Sequence, residues 1–138
     1  MDCATLAEKL DERLDTAAYA DVDASANGLQ IGPDSQELDC VAFAVDAAVE
    51  TIEETARRDA DLLVTHHGIS WGGIERVTGR AYDRIAAAIK NDVTLYTAHL
   101  PLDGHPELGN AAGLASLLNL ENRAPFAVHG GEYIGQQG

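Results

Sequence analysis

The sequence has few cysteines, few basic residues and no long apolar segment, and each shortage excludes a class of protein. Its 138 residues include only two cysteines, Cys3 and Cys40, which are far apart and form no CxxC spacing. Neither a zinc knuckle nor a disulfide framework is therefore predicted. No apolar run reaches the ~20 residues that cross a bilayer, and the first residues lack the features of a secretory signal. We expect a soluble, cytoplasmic protein with no membrane partner.

Basic residues are outnumbered by acidic ones, 9 against 23, which gives a formal net charge of −14. A surface with this charge repels phosphates, and no basic stripe offers a local exception, so we expect no nucleic-acid partner. Disorder does not explain the composition, because 46% of the residues are hydrophobic and recur with regular periods. We interpret the chain as halophilic, with an acidic surface adapted to a salty cytoplasm where ions screen its self-repulsion.

Apolar periodicity predicts short strands that alternate with amphipathic helices. Predicted strands cover residues 38–45, 61–66 and 92–100, and predicted helices cover residues 5–14, 47–60, 75–90 and 110–120. Residues 20–36 are predicted as a loop with a brief extended piece at 29–31, and a further strand, a glycine turn and an extended piece follow residue 122. Alternation of strands and helices favours parallel pairing. The predicted fold is a single α/β domain over residues 1–138, with layered βαβ units and a mostly parallel sheet flanked by helices.

The helix starts carry residues that commonly cap helices. Thr5 and Glu8 have the spacing of a capping box. Asp46 and Asn110 each precede a predicted helix and are interpreted as its N-cap.

Polar side chains follow the predicted parallel strands, and they should gather at one edge of the sheet. They are Asp46 after the first strand, His66 and His67 after the second, and His99 with Asp103 after the third. Imidazole and carboxylate ligands suit zinc, manganese, iron, cobalt or nickel. Because successive strand side chains point to opposite faces, two arrangements are open for the adjacent histidines. Either the backbone turns at Gly68 so that both reach one ion, or they serve two ions ~3.5–4 Å apart.

Structural roles compete with metal binding at several of these positions. A histidine at a strand end can serve as a capping or packing residue, and Asp103 can form an Asx-turn before Gly104. His105 and His129 are interpreted as loop residues outside the site. The glycines do not have the spacing of a phosphate-binding loop.

Three motifs together give a family resemblance along nearly the whole chain. "SANGLQIG" at 25–32, "VTHHG" at 64–68 and "TAHLPLD" at 97–103 resemble the Nif-three-like family of dinuclear-metal proteins, whose members are named GTP cyclohydrolase I type two homologues. The resemblance implies that His66 and His67 each bind one of two divalent ions per subunit and that Asp103 binds one of them. It also implies that His99 lines the same cavity, that the subunits form a toroidal homohexamer, and that nucleotides are hydrolysed.

The sequence departs from the family in one respect. Family members are longer and supply an H-x-x-x-E pair near their carboxyl end, whereas His129 is followed by Glu132 at a different spacing. The 138 residues therefore resemble the amino-terminal part of a longer family chain. With the ligands of these 138 residues alone, each ion would have few protein ligands and would be bound weakly or not at all.

Two functions are compatible with these features. The first is metal-dependent hydrolysis of a small molecule, either a nucleotide or a related phosphorylated compound. There the ions polarise the substrate and His99 carries the proton. The second is a non-catalytic, metal-binding oligomeric scaffold or a regulatory interaction protein.

Overall fold

A four-stranded sheet forms the centre of the fold in the computed structural model, which describes residues 1–33 and 35–138. Asp34, within the predicted 20–36 loop, lies outside the described residues. The strands are β1 (Gly28–Ile31), β2 (Val41–Asp46), β3 (Leu62–His67) and β4 (Thr94–Thr97), in the spatial order β1-β4-β3-β2. β2, β3 and β4 are parallel, and β1 pairs antiparallel with β4 at one edge. The predicted α/β class with a mostly parallel sheet is confirmed.

The remaining elements flank this sheet or follow it. They are α1 (Cys3–Leu14), a 3-10 turn (Thr16–Tyr19), α2 (Val49–Arg57), α3 (Gly79–Lys90), α4 (Leu100–Gly104), α5 (Asn110–Leu117) and the strands β5 (Ala124–His129) and β6 (Glu132–Gln137). β5 and β6 form a separate antiparallel hairpin. Within the two described ranges, no helix has both the length and the apolar character needed to cross a membrane.

Each face of the sheet carries its own apolar core. One core joins α2 and α3 to the sheet and includes Ile52, Leu63, Ala88 and Leu95. The other joins α1 to the opposite face and includes Cys3, Leu14, Leu62 and Tyr96. Because side chains alternate along a strand, β3 contributes residues to both cores in turn. The last two residues of β3, His66 and His67, lie beyond both cores at the edge of the sheet.

The predicted caps of α1 and α5 are wrong. α1 begins at Cys3, and its N-cap is Asp2, whose carboxylate accepts hydrogen bonds from the Thr5 amide at 2.8 Å and the Thr5 hydroxyl at 3.0 Å. Thr5 therefore lies inside the helix as a donor to its cap, and the Thr5–Glu8 capping box does not form. The N-cap of α5 is Gly109, and Asn110 is the first helical residue.

The bounds of most predicted elements also differ in the structure, and the largest difference is at the start of α3. The helix predicted over 75–90 begins only at Gly79, and Val77, which precedes it, is exposed. The strand predicted over 92–100 ends at Thr97, and the short helix α4 replaces its last residue and the start of the loop predicted over 101–109. Proline suits the first turn of a helix, where its missing N–H is not needed, and Pro101 occupies that turn. The His99 carbonyl accepts from the amides of Leu102 and Asp103, so α4 starts directly at the edge of the sheet.

Candidate functional site

Three imidazole rings meet at the carboxyl edge of the parallel strands. His66 and His67 end β3, and His99 follows β4. The ring centroids are 4.5 Å apart for His66 and His67, 4.9 Å for His66 and His99, and 5.7 Å for His67 and His99. One ring nitrogen from each histidine lies within 4.8 Å of the others. The structure thus brings together three of the side chains that the sequence assigned to this edge.

The adjacent histidines converge because the strand ends at them. β3 stops at His67, and the two rings are tilted 46° to each other. Gly68 follows at a point where the chain passes very close to its neighbours, since a Cβ there would collide with the side chains of Gln30 and Thr97. Only glycine leaves the room for this approach. The "HHG" sequence therefore combines two ligand-type side chains with a glycine whose missing Cβ leaves room for the side chains of Gln30 and Thr97.

All three histidines are held through the same ring atom. Nδ1 of His66 lies 3.1 Å from the Ala98 carbonyl oxygen, Nδ1 of His67 lies 2.7 Å from Asp46 Oδ1, and Nδ1 of His99 lies 2.9 Å from Asp23 Oδ1. A carbonyl or carboxylate oxygen can only accept, so each Nδ1 donates. In a neutral ring this leaves the lone pair on Nε2. Such an outer contact fixes the tautomer and orientation that a metal-binding histidine needs.

The interpretation of Asp46 as a helix N-cap is wrong. Asp46 is the last residue of β2, whereas α2 begins at Val49 with Ala48 in the cap position and no side-chain cap bond. Asp46 and His67 are paired across the parallel strands β2 and β3. This register places the carboxylate beside the imidazole, and the hydrogen bond between them takes the carboxylate away from the helix.

Asp23 is a buried carboxylate that the sequence analysis did not identify. Its side chain is 2% exposed and accepts four hydrogen bonds, from His99 Nδ1, the Asn27 side chain and the amides of Ser25 and Leu100, at 2.8 to 2.9 Å. Burial raises the pKa of Asp23, but these hydrogen bonds together outweigh it and hold the pKa below its usual value. Asp23 therefore remains a carboxylate that ties the loop before β1 to His99 and to the start of α4.

Asp103 approaches the histidines from α4. Its Oδ2 lies 3.5 Å from His66 Nε2, and its Oδ1 accepts a hydrogen bond of 2.6 Å from the Asn110 side chain. Asn110 thus orients this carboxylate instead of capping α5. Asp103 is helical, and the alternative interpretation as an Asx-turn before Gly104 does not describe it.

The other two histidines lie outside this cluster. His105 follows α4 and is buried; its Nε2 donates to the Arg13 carbonyl, and its Nδ1 accepts from the amides of Glu107 and Leu108. His105 therefore stabilises a turn, with both ring nitrogens engaged. His129 is exposed at the end of β5 in the hairpin.

Trp71 is a second residue of the site that sequence reasoning missed. The centroid of its ring lies 4.8 Å from that of His99, nearly perpendicular to it, and 6.1 Å from that of His67. In the sequence its only signal is a position four residues after His67, in the segment between a predicted strand and a predicted helix. The signal for Asp23 is equally weak, because its partner His99 is 76 residues away.

A cavity of about 560 Å³ opens beside the cluster, between α1 and the β2–β3 part of the sheet. His66, Asp103 and Asn110 are polar residues of its wall, and much of the rest is apolar, including Leu10, Phe43, Val45, Val64, Leu102 and Leu108. A mostly apolar pocket with a few convergent polar groups is the usual form of a small-molecule site.

The donor set fits a transition-metal or zinc ion. It consists of imidazole nitrogens with a fixed tautomer and a nearby carboxylate, which are borderline ligands that suit zinc, manganese, iron, cobalt or nickel. A cluster of His66, His67 and His99 that could hold a metal ion is thus present in the structure.

Comparison with known proteins gives a consistent result. A sequence model of the Duf34/NIF3 (NGG1p interacting factor 3) family matches residues 1–137. A protein named GTP cyclohydrolase 1 type 2 homolog from Halobacterium salinarum is 54% identical over 138 residues, which are 100% of this chain and 54% of the relative. A protein of the same name from Pyrococcus abyssi is 45% identical over 94% of this chain and 50% of its own length. The chain therefore spans about half the length of the curated relatives it matches.

The fold is also that of solved proteins. The crystal structure of TTHA1606 from Thermus thermophilus superposes with a TM-score of 0.84 at 34% identity, over 96% of this chain and 53% of that one. The three motifs had predicted this relationship, and the family match covers all of them. The chain belongs to the Duf34/NIF3 family.

Proposed function

We propose that this protein binds divalent metal ions at the sheet edge and acts as a metal-dependent hydrolase on a nucleotide or a related phosphorylated compound. In this proposal two ions are bound per subunit, one by His66 and one by His67, and Asp103 binds one of them. The metal is zinc, manganese, iron, cobalt or nickel. The observation that carries the proposal is the common state of the three histidines, whose Nδ1 atoms are all engaged by acceptors. This leaves Nε2 of His66 and of His67 free to bind an ion and Nε2 of His99 free to exchange a proton.

The residues of the chain have separate roles in this function. Bound divalent ions supply Lewis acidity, which polarises a substrate oxygen or ring carbon. His99 carries a proton at Nε2, because Nδ1 is occupied by Asp23, and the Asp23 carboxylate stabilises the ring when it becomes positively charged. Asn110 holds Asp103 in orientation from α5. The apolar cavity next to His66 excludes water from part of the substrate.

A second function has a specific observation in its favour. Phe43 and Val45 lie on the edge strand β2 beside the site and are 75% and 61% exposed. Exposed apolar side chains on an unpaired strand edge are typical of a protein interface. This supports the alternative of a non-catalytic metal-binding oligomeric scaffold or regulatory interaction protein.

Metal content and turnover, measured together, test the proposal. The purified protein is dialysed against each candidate metal, its metal content is measured by elemental analysis, and the loaded protein is incubated with GTP and other nucleotides. We expect His67→Ala to lose bound metal and turnover, and His129→Ala, an exposed histidine in the hairpin, to lose neither. Unchanged metal content in His67→Ala would refute the metal site. Metal binding without turnover of any nucleotide would favour the scaffold.

His99 needs its own variant, because its position also suits a metal ligand. A proton carrier predicts that His99→Ala keeps its metal and loses turnover. Loss of metal from His99→Ala would make it a ligand instead.

The proposal also covers the domain, the assembly, the localisation and the salt adaptation of the protein. We infer that the 138 residues form a single domain, the amino-terminal part of a longer family chain, and that the complete protein is a cytoplasmic homohexamer adapted to high salt. The formal net charge of −14 supports the salt adaptation. Light scattering at low and high salt measures the assembly, and a monomer at all salt concentrations would contradict the hexamer.

A further inference from the structure

Trp71 combines exposure with a fixed position at the metal site. Its residue is 44% exposed, and it belongs to neither of the two apolar cores. Its ring lies at 78° to the ring of His99, in an edge-to-face contact with the centroids 4.8 Å apart. Packing of the core therefore does not explain why a large aromatic side chain is placed here.

The backbone around Trp71 is held by hydrogen bonds to the loop before β1. Ser25 and Trp71 form an isolated β-bridge, in which the Ala26 amide donates to the Ser70 carbonyl at 3.1 Å and the Gly72 amide donates to the Ala24 carbonyl at 2.7 Å. The indole N–H points back to the Gly68 carbonyl at 3.4 Å. These contacts connect Trp71 to the same loop whose Asp23 holds His99, so the indole has a defined orientation relative to the imidazoles.

The two residues that follow Trp71 have no side chains. Gly72 and Gly73 follow it, both with positive φ, and a Cβ added to either would have no atom within 4 Å. A flat ring could therefore approach the exposed part of the indole without meeting side chains from these two residues.

We propose that Trp71 is the stacking surface for the planar heteroaromatic ring of the substrate, an inference that rests on the proposed function and specifies which part of a nucleotide faces the metal site. Aromatic side chains bind bases of any sequence through their π faces. A ring stacked on Trp71 has its centroid about 4.5–7 Å from that of the indole, whose own centroid is 4.8 Å from that of His99, so the ring binds at the rim of the metal site. The base, more than the phosphate chain, is therefore the part of the substrate next to the imidazoles.

Trp71 also provides the means to test this, since it is the only tryptophan of the 138 residues. Its fluorescence is titrated with guanosine, GTP and inorganic triphosphate, with correction for absorbance by the nucleotides. We expect saturable quenching by guanosine and by GTP, and none by inorganic triphosphate, because the latter has no ring. Equal quenching by triphosphate and GTP would overturn the inference, and so would the absence of saturable binding for both ring-containing probes.

Calorimetry with variants tests the same contact without the fluorophore. We expect Trp71→Leu to lose roughly 5- to 150-fold in affinity for guanosine and GTP, the range for stacking of a base on an aromatic side chain, and Trp71→Phe to lose less. Tyr82→Leu is the matched control, because Tyr82 is 54% exposed on α3; its affinity should be unchanged. Unchanged affinity of Trp71→Leu would refute the inference.

Metal titration of Trp71→Leu separates this inference from the proposed function. We expect the variant to bind metal like the unsubstituted protein. If it loses metal instead, Trp71 supports the histidines and is not a substrate contact. If the unsubstituted protein binds no metal but guanosine still quenches Trp71, the metal-dependent function fails and the stacking surface stands.

Discussion

Replacement of Asp23 by asparagine should disturb the orientation of His99 without removing any of the proposed metal ligands. The asparagine side chain has almost the same shape as aspartate, but one oxygen becomes an NH₂ group that can only donate. In the structure Oδ1 accepts from His99 Nδ1 and the Ser25 amide, and Oδ2 accepts from the Asn27 side chain and the Leu100 amide. In either orientation of the new amide, two of these four donors face another donor.

The size of the effect follows from burial. Asp23 is 2% exposed, so water cannot replace the lost acceptor. A buried polar group without a partner costs about 1–3 kcal/mol. Two such groups predict a loss of about 2–6 kcal/mol, which is a large part of the ~5–15 kcal/mol that stabilises a typical domain. Because Asp23 also holds His99, the proposed proton carrier, we expect turnover of nucleotide to fall roughly 10- to 100-fold while bound metal is retained.

Urea denaturation measures the stability, chelator competition measures the metal affinity, and ¹⁵N NMR of the histidine rings reports which nitrogen of His99 carries the proton. Asp21→Asn is the matched control, since Asp21 is exposed in the same loop and the charge change is identical. We expect Nδ1 of His99 to be protonated in the parent protein, and this preference to weaken in Asp23→Asn. The reasoning fails if Asp23→Asn lies within about 0.5 kcal/mol of Asp21→Asn, the range of ordinary surface substitutions.

Three further predictions concern the fold and its surface. Ile52→Ala should lower the free energy of unfolding by about 2–5 kcal/mol, because Ile52 is fully buried between α2 and the sheet; a loss below about 1 kcal/mol in urea denaturation would contradict the close packing assumed there. Asp61 accepts hydrogen bonds from the Cys40 and Asp39 amides, which lower its pKa from the usual 3.8. The carboxylate therefore stabilises the fold above pH 3.8, and this contribution disappears as the pH falls through the lowered pKa. The stability difference between parent and Asp61→Asn should thus be about 1 kcal/mol at pH 7, reduced by solvent screening, and shrink below pH ~4; a difference independent of pH would exclude this role. The net charge of −14 predicts a melting temperature that rises from dilute buffer to molar salt, and equal melting temperatures would refute the halophilic interpretation.

The sequence was sufficient for the features that depend on strand order and periodicity. His66, His67 and His99 each follow an apolar run, and parallel strands deliver their carboxyl ends to one edge. Their convergence could therefore be predicted without knowing any distance. The short extended piece at 29–31 was also recognised, and it forms the antiparallel edge strand β1.

The partners of the carboxylates could not be predicted in the same way. The Asp46 carboxylate could cap the next helix or accept a hydrogen bond from an imidazole. Which of the two forms depends on the register of β2 against β3, which local sequence does not determine. Asp23 belongs to a loop whose contacts to His99 and Leu100 are entirely tertiary. At the start of α1, Asp2 and Thr5 are both residue types that cap helices, and Asp2 is the one that does so.

The pairing of Asp46 with His67 across β2 and β3 has a consequence for how the chain folds. If β2 slipped by one residue, an alanine or a valine would stand opposite His67 and the imidazole would lose its acceptor. An ion that prefers the properly oriented ring therefore binds the correctly aligned sheet more tightly than any misaligned one. If the proposed metal site is correct, metal binding would stabilise this register of β2 and β3 relative to registers shifted by one residue.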